Sequence, residues 1–258
     1  MNTDAKTRAA TSVRQRLLNL SKQRGEDFNL VLTRYALERF LYRLSKSAHK
    51  GDLILKGAML FQLWSETPHR ATRDMDFLAT GKTDQETIAN MITDISTAEV
   101  EEDGLVYDLS KLEVADIRED DHYGGVRARF TALLGSAKIS IQLDFGIGDA
   151  VTPAPTETDY PTLLDMSHPT VLAYPRETVV AEKLEAIVDL GMDNSRMKDF
   201  FDLWFIFTTY NDDEKVLAQA IQETFKRRQQ DVPTEVPTGL TEEFVQNPDK
   251  QKQWKAFA

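Results

Sequence analysis

The sequence contains no cysteine, and this absence removes several kinds of site at once. Disulfides, thiolate zinc centres, iron–sulfur clusters and cysteine nucleophiles are excluded, and a reducing compartment is the simplest setting. No apolar run approaches the ~18 residues that a transmembrane helix needs. The N-terminal stretch 1–17 also lacks the apolar segment of a signal peptide. The sequence therefore predicts a soluble protein of the cytoplasm.

Several common catalytic motifs are also missing from the sequence. It contains no H-E-x-x-H, G-x-S-x-G, Walker A or G-x-G-x-x-G pattern. The histidines His49, His122 and His168 do not have the spacing of metal ligands. None of the chemistries that these motifs support is indicated, so the acidic and basic residues become the main candidates.

The composition is that of a globular protein with an uneven charge. The 258 residues are 41% hydrophobic and 28% charged, which supports a packed core in one large domain or two small ones. Residues 1–50 carry 11 Lys/Arg and 4 Asp/Glu, whereas the other 208 carry 20 and 38, so the net charge of −11 divides into +7 and −18. The basic segment is either a solvated helical face or a surface that attracts a polyanion.

Hydrophobic periodicity predicts helices, then a β-rich section, then helices again. Residues 124–146 form a predicted hairpin, because apolar and polar residues alternate on both sides of Gly135-Ser136. The predicted fold is α/β (α+β), a mixed sheet with flanking helices plus a helical C-terminal domain. The predicted domains are 1–150, a connecting segment 151–176, and 177–258. The predicted helices cover 7–20, 27–47, 58–64, 84–97, 177–190, 195–210, 213–229 and 241–257, and the predicted strands cover 52–56, 73–79, 111–118, 124–134 and 137–146.

The strongest candidate for a metal site is the pair Asp74 and Asp76 on one predicted strand. Residues two apart on a strand point to the same face about 6–7 Å apart, so these carboxylates repel each other. A divalent cation such as Mg²⁺ relieves that repulsion, because it prefers oxygen ligands. The alternative is two exposed aspartates on an edge strand. Asp144, at the polar face of another predicted strand, would complete a three-carboxylate site and could accept a proton from an attacking hydroxyl.

Two further groups of residues are candidates for phosphate binding. Lys56-Gly57-Ala58 ends a predicted buried strand and opens a predicted helix, where free N–H groups favour phosphate. His69 and Arg70 precede Asp74 and could touch a base or phosphate, although a loop cation is the alternative.

A third set of charges lies on the predicted C-terminal helices. Arg196 and Asp199 are three residues apart and Lys198 and Asp202 are four apart, so ion pairs along one helix are one interpretation. The other is that Lys183, Arg196 and Lys198 bind a triphosphate while the carboxylates hold them in place. The apolar residues that follow predict burial, and buried charges need partners or a ligand.

Taken together, these segments resemble the AbiEii/AbiGii family of nucleotidyltransferase toxins, which are the toxins of bacterial type IV toxin–antitoxin and abortive-infection systems. The resemblance runs in order over about residues 10–210. It is carried by Asn29–Leu32 (NLVL), Leu55–Leu60 (LKGAML), Arg70–Asp76 (RATRDMD), Ala181–Leu184 (AEKL) and Arg196–Leu203 (RMKDFFDL).

The resemblance implies a polymerase-β-like nucleotidyltransferase core and Mg²⁺-dependent transfer of a nucleoside monophosphate from an NTP to RNA. The expected acceptor is tRNA, whose blocked 3′ end stops translation in phage defence, and the expected protein partner is an antitoxin. It implies that Asp74, Asp76 and Asp144 bind metal and act in catalysis together with Lys183. The residues implied in nucleotide binding are Lys56, Gly57, Ala58, Arg70, Lys183, Arg196, Lys198, Asp199 and Asp202.

One departure from the family pattern and two rival functions remain. Many nucleotidyltransferases have Gly-Ser at the phosphate turn, where this sequence has Gly57-Ala58 and so lacks one hydroxyl contact. One rival is a carboxylate-metal phosphohydrolase of the haloacid-dehalogenase type, which also uses D-x-D but prefers a small or hydroxyl residue where Leu78 stands. The other is a non-catalytic module on the same fold that binds RNA or an antitoxin.

Overall fold

The computed structural model describes residues 3–65, 70, 72–117 and 124–257. His69 and His122 therefore lie outside the described residues. The chain divides into two compact units, one formed by Met1–Gly148 with Thr156–Ala173 and the other by Asp149–Pro155 with Tyr174–Ala258. The segment that sequence analysis describes as a connection, 151–176, is shared between them, and its residues 156–173 belong to the first unit.

The first unit contains a seven-stranded mixed sheet with helices. Its helices are α1 (Thr3–Arg24), α2 (Phe28–Lys46), α3 (Phe61–Trp64) and α4 (Gln85–Thr97). Its strands are β1 (Leu53–Lys56), β2 (Asp74–Ala79), β3 (Leu105–Ile117), β4 (Gly125–Leu134), β5 (Ala137–Ile147), β6 (Thr156–Asp159) and β7 (Thr170–Ala173).

The strand order is β3-β4-β5-β2-β1-β7-β6. The pairs β2–β5 and β1–β7 are parallel, and the others are antiparallel. The predicted mixed sheet is therefore confirmed, and so is the hairpin, in which Leu134 pairs with Ala137 and Gly135 takes a φ of +60°. Burial alternates along β4, where Ala128 and Ala132 are fully buried, because alternate residues face the core.

The helix predicted for 58–64 is shorter and less regular than expected. Gly57–Leu60 form a 3₁₀ turn, and only Phe61–Trp64 form an α-helical turn. Helix dipoles come from aligned peptide units, so an element this short offers little field to a phosphate. The expected longer helix is therefore absent here, the glycine turn is present, and phosphate binding by Lys56, Gly57 and Ala58 stays a prediction.

Helix α2 carries basic residues into the interior of the first unit. Arg34, Arg39 and Arg43 are only 8%, 0% and 5% exposed. Arg39 lies 3.1 Å from Glu101 and 3.4 Å from Asp103, and Arg43 lies 2.5 Å from Asp103. Buried charges of this kind are stable only when paired. The charges of Arg39 and Arg43 are therefore internal and are not part of a surface for a polyanion, whereas Arg34 also lines a cavity.

The second unit is helical, as predicted. Its helices are α5 (Arg176–Leu190), α6 (Met197–Thr209), α7 (Glu214–Arg227), α8 (Glu242–Gln246) and α9 (Pro248–Phe257). Ile187, Ile206 and Phe225 are fully buried in its core. The helix predicted for 241–257 is interrupted at Asn247, which takes an extended conformation because the following Pro248 disfavours the helical one.

Among the helices that the structure describes, none combines the length and the apolar character needed to cross a membrane.

Candidate active site

Asp74 and Asp76 are the first and third residues of β2. Both are partly exposed, whereas Met75 and Phe77 between and after them are fully buried. This alternation places the two carboxylates on the same face of the sheet, as the sequence spacing predicts.

The strand register brings the third carboxylate beside this pair. Asp76 pairs with Lys56 of β1 on one side and with Asp144 of β5 on the other, while Asp74 pairs with Gln142. The three aspartates that the sequence singles out therefore lie on two adjacent strands, although they are 70 residues apart along the chain from Asp74 to Asp144.

A guanidinium group that sequence analysis did not place in the site binds Asp144. Arg127 of β4 donates from Nε to Oδ1 at 2.7 Å and from Nη2 to Oδ2 at 2.6 Å. The hydrogen bond to Asp144 raises the pKa of Arg127, and the charges of Asp144, Asp74 and Asp76 raise it further against the effect of burial. This bidentate contact fixes the plane of the Asp144 carboxylate and neutralises its charge.

Neutral side chains position the carboxylates as well. Thr72 donates its hydroxyl to Asp74 Oδ1 at 2.7 Å. Gln142 donates to Asp144 Oδ2 at 3.4 Å and accepts from Arg129 Nε at 3.1 Å. These contacts order the acidic face without adding charge to it.

The fit of a divalent cation depends on which carboxylates are considered. Asp74 and Asp76 are hard oxygen donors on one face and suit Mg²⁺ as a pair. Asp144 differs, because both of its oxygens accept from Arg127. Within the described ranges, no group of three or more Asp, Glu, His or Cys side chains is arranged to hold a metal ion. The residues therefore fit a cation at Asp74 and Asp76, and Asp144 supports that pair as a neighbour bound to Arg127.

Gly57 lies against the Asp76 carboxylate. Its φ is +72°, and a Cβ placed on it would lie 2.0 Å from Asp76 Oδ2, far inside van der Waals contact. Glycine is therefore required at this position for two reasons: its backbone conformation, and the space that it leaves for the Asp76 carboxylate. Lys56 and Ala58 on either side are partly exposed, as is Arg70.

Replacing Gly57 by alanine is expected to lower the free energy of unfolding by about 2–3 kcal/mol and to displace Asp76. A left-handed conformation costs a residue with a Cβ about 1–2 kcal/mol, and the contact with the carboxylate adds strain. Denaturant unfolding of the purified variant measures the effect. Gly81→Ala is a matched control, since its φ is +80° and no atom of the described residues lies within 4 Å of the position that its Cβ would take. Equal losses in both variants would show that the contact with Asp76 adds no strain.

The charged residues predicted on the C-terminal helices form a separate cluster within the second unit. Lys183 Nζ lies 2.7 Å from Asp199 and 2.8 Å from Asp202, and Arg196 Nε lies 2.7 Å from Asp199. The Asp199 and Asp202 side chains are 1% and 0% exposed. Lys198 is exposed on the surface of α6. The predicted pair of Arg196 with Asp199 is present, and the role of this cluster in nucleotide binding stays a prediction.

The acidic face, the glycine turn and the helical second unit are what the sequence resemblance implies for a nucleotidyltransferase. The chain belongs to the AbiEii family: the family model described as "Nucleotidyl transferase AbiEii toxin, Type IV TA system" matches residues 39–258. The protein is thus a nucleotidyltransferase of the toxin–antitoxin class, and the resemblance drawn from the sequence is confirmed.

Two solved structures from Helicobacter pylori are similar to this chain. One, provisionally described as a nucleotidyltransferase, is 16% identical with a TM-score of 0.44, and the match covers 85% of this chain and 88% of that one. The other, JHP933, is also 16% identical, with a TM-score of 0.45 and 85% of each chain covered. A comparison with curated proteins finds no match.

Proposed function

We propose that this protein transfers a nucleoside monophosphate from an NTP to an RNA acceptor in a Mg²⁺-dependent reaction. The observation that carries the proposal is the pair Asp74 and Asp76 on one face of β2, with Gly57 leaving room beside it, in a chain of the AbiEii family. The acceptor we propose is tRNA, whose modification would block translation during phage infection, and the proposed location is the cytoplasm.

The residues of the acidic face have distinct parts in this proposal. Asp74 and Asp76 would hold Mg²⁺, which when bound neutralises the triphosphate charge that develops on the leaving group. Arg127 fixes the orientation of the Asp144 carboxylate through two hydrogen bonds. Oδ2 accepts from both Arg127 and Gln142, but Oδ1 keeps a second lone pair, so Asp144 can still accept the proton of the acceptor hydroxyl. That hydroxyl oxygen forms the new bond to the α-phosphorus, the bond from the α-phosphorus to the bridging oxygen breaks, and pyrophosphate leaves.

Membership of a type IV toxin–antitoxin family implies two kinds of partner, a nucleotide substrate and an antitoxin protein. One alternative function is that of a carboxylate-metal phosphohydrolase, which also uses a D-x-D strand. The other is a module that binds RNA or an antitoxin without catalysing a reaction. Neither alternative attaches the α-phosphate of the NTP to RNA, so a labelled α-phosphate distinguishes them from the proposed transfer.

Incubation of the purified protein with each α-labelled NTP, Mg²⁺ and total RNA tests the proposal. Label in RNA-sized bands on a denaturing gel, lost when EDTA is added, is the expected result. A parallel reaction with γ-labelled NTP reports phosphate release. Release of inorganic phosphate without labelled RNA would indicate a phosphohydrolase, and the absence of both products would indicate a binding module.

Arg127→Gln is expected to lower kcat for the transfer by about tenfold, the size typical of losing a residue that orients a reactive group, with little change in KM for the NTP. Arg127→Lys keeps the charge but not the bidentate geometry and should recover only part of the rate. Arg129→Gln is the matched control on the same strand face, because Arg129 contacts Gln142 rather than the carboxylate. Steady-state kinetics of the three variants measure the effect, and a wild-type rate in Arg127→Gln would remove Arg127 from the mechanism.

A further inference from the structure

The first unit contains a cavity of about 530 Å³ that the acidic face does not include. It is bordered by the end of α1, by α2, by α3 and by the chain between β6 and β7. The side chains that matter for its chemistry are Arg24, Arg34, Gln62, Trp64, Asp159 and His168. Its volume lies within the usual range for small-molecule sites, which is about 300–1,000 Å³.

The wall formed by the chain between β6 and β7 is held in place by α2, by Glu101 and by hydrogen bonds of its own. The Leu163 N–H donates to Glu38 Oε2 at 2.7 Å, and the Tyr160 N–H donates to the Pro169 carbonyl at 2.8 Å. The Ser167 N–H donates to Glu101 at 2.9 Å. Because these backbone groups are fixed, the cavity is preformed, and a ligand would not have to order this wall on binding.

Arg34 is a cationic group of the cavity with unused hydrogen-bonding capacity. Its side chain is only 9% exposed, and it forms an ion pair through Nη2 with Glu26. Its Nε is buried and has no acceptor in the described part of the chain. Arg34 also lines the cavity, so its guanidinium charge, which Glu26 only partly satisfies, favours a ligand that brings an oxyanion.

A second cation lies next to it. Arg24 ends α1 and lies 3.9 Å from Glu26, the same carboxylate that binds Arg34, and its side chain is 41% exposed. Glu26 therefore holds two guanidinium groups close together at one side of the cavity. Paired arginines with planar donors match the oxygens of a phosphate group.

The other side of the cavity supplies an aromatic ring and polar groups. Trp64 is half-buried and packs edge-on against Phe61 at 5.2 Å between ring centroids. Gln62 and Asp159 line the same cavity. Proteins bind unpaired nucleotides by stacking the base on an aromatic ring, hydrogen-bonding its edges to polar groups and binding the phosphate with arginines. This cavity contains all three kinds of group.

We propose that this cavity binds one nucleotide unit, with its phosphate at Arg24 and Arg34 and its base against Trp64. The unit is either the end of a single-stranded RNA or a free mononucleotide, since both present the same phosphate and base. An RNA end would make the cavity an acceptor subsite of the proposed transfer, whereas a mononucleotide would make it a separate ligand site.

Binding measurements in EDTA test the cavity apart from the carboxylate pair and apart from catalysis. A fluorescein-labelled eight-nucleotide RNA with a free 3′ end is titrated by fluorescence anisotropy, and AMP, CMP, GMP and UMP are titrated by calorimetry. Arg24→Gln is the main variant because its side chain is largely at the surface. Trp64→Leu tests the base contact, with circular dichroism to verify folding. Arg16→Gln is the matched control, an exposed arginine of the same helix outside the cavity lining.

Arg24→Gln and Trp64→Leu are each expected to raise the dissociation constant about tenfold, which corresponds to the loss of one charge-assisted contact or one stacked base. Arg16→Gln should stay within about twofold of the wild type. Binding of RNA but not mononucleotides identifies the acceptor end, and the reverse identifies a mononucleotide. Failure of the wild type to bind either probe, or equal affinities in wild type and both cavity variants, would overturn the inference. Neither result depends on whether nucleotide transfer is detected.

Discussion

Asp76→Asn is expected to lower nucleotidyl transfer by roughly 10²–10³-fold, the loss that follows removal of one preorganised electrostatic group. Asparagine has the shape of aspartate, so the close approach of Gly57 to this side chain is kept. The substitution also removes the repulsion between the carboxylates of Asp74 and Asp76. The free energy of unfolding should therefore stay the same or rise slightly.

Labelled transfer to RNA measures the activity, and thermal unfolding measures the stability. Glu113→Gln is a suitable control, because it makes the same charge change at an exposed position on β3. Wild-type transfer by Asp76→Asn would contradict the proposed active site. If Asp76→Asn loses both transfer and folding, Asp74→Asn tests the active site instead. That variant changes the other carboxylate and leaves the contact between Asp76 and Gly57 unchanged.

The parts of the site that the sequence predicts are those fixed by local geometry. The shared face of Asp74 and Asp76 depends only on the two-residue period of a strand. The contact between Arg127 and Asp144 can also be predicted from the sequence. Counting outward from the turn at Gly135-Ser136 pairs residue 134 with 137, and therefore Arg127 with Asp144. The register of the hairpin was sufficient to show that this arginine neutralises the third carboxylate.

The parts that the sequence does not predict depend on contacts between distant segments. β7 is four residues long and lies in a proline-containing stretch, yet it pairs with β1 in parallel more than 100 residues earlier in the chain. The buried arginines of α2 have their partners at Glu101 and Asp103, about 60 residues later. Helical periodicity identifies apolar faces, but it does not reveal which charged residues find a partner inside the fold.

The ion cluster of the second unit is expected to depend on Lys183 for its stability. Lys183→Met is expected to lower the free energy of unfolding by about 3–5 kcal/mol, because it removes one partner from a buried ion pair and leaves its carboxylates under-neutralised. Asp199 and Asp202 are almost completely buried, so water cannot replace the lost ammonium group. Lys198→Met is the control, since Lys198 is exposed on the same helix as both aspartates, and its effect should stay within about 0.5 kcal/mol.

This expectation changes how any loss of activity at Lys183 must be interpreted. A single variant that unfolds would lose transfer whether or not Lys183 contacts a nucleotide. The double variant Lys183→Met/Asp202→Asn removes one charge of each sign and should recover at least half of the lost stability, measured by denaturant unfolding. The affinity of this double variant for an NTP then shows whether Lys183 binds the nucleotide, as predicted. Weak NTP binding by the stable double variant, with normal binding by Asp202→Asn alone, would support phosphate contact by Lys183. Normal binding in both would assign Lys183 to the stability of the helical unit.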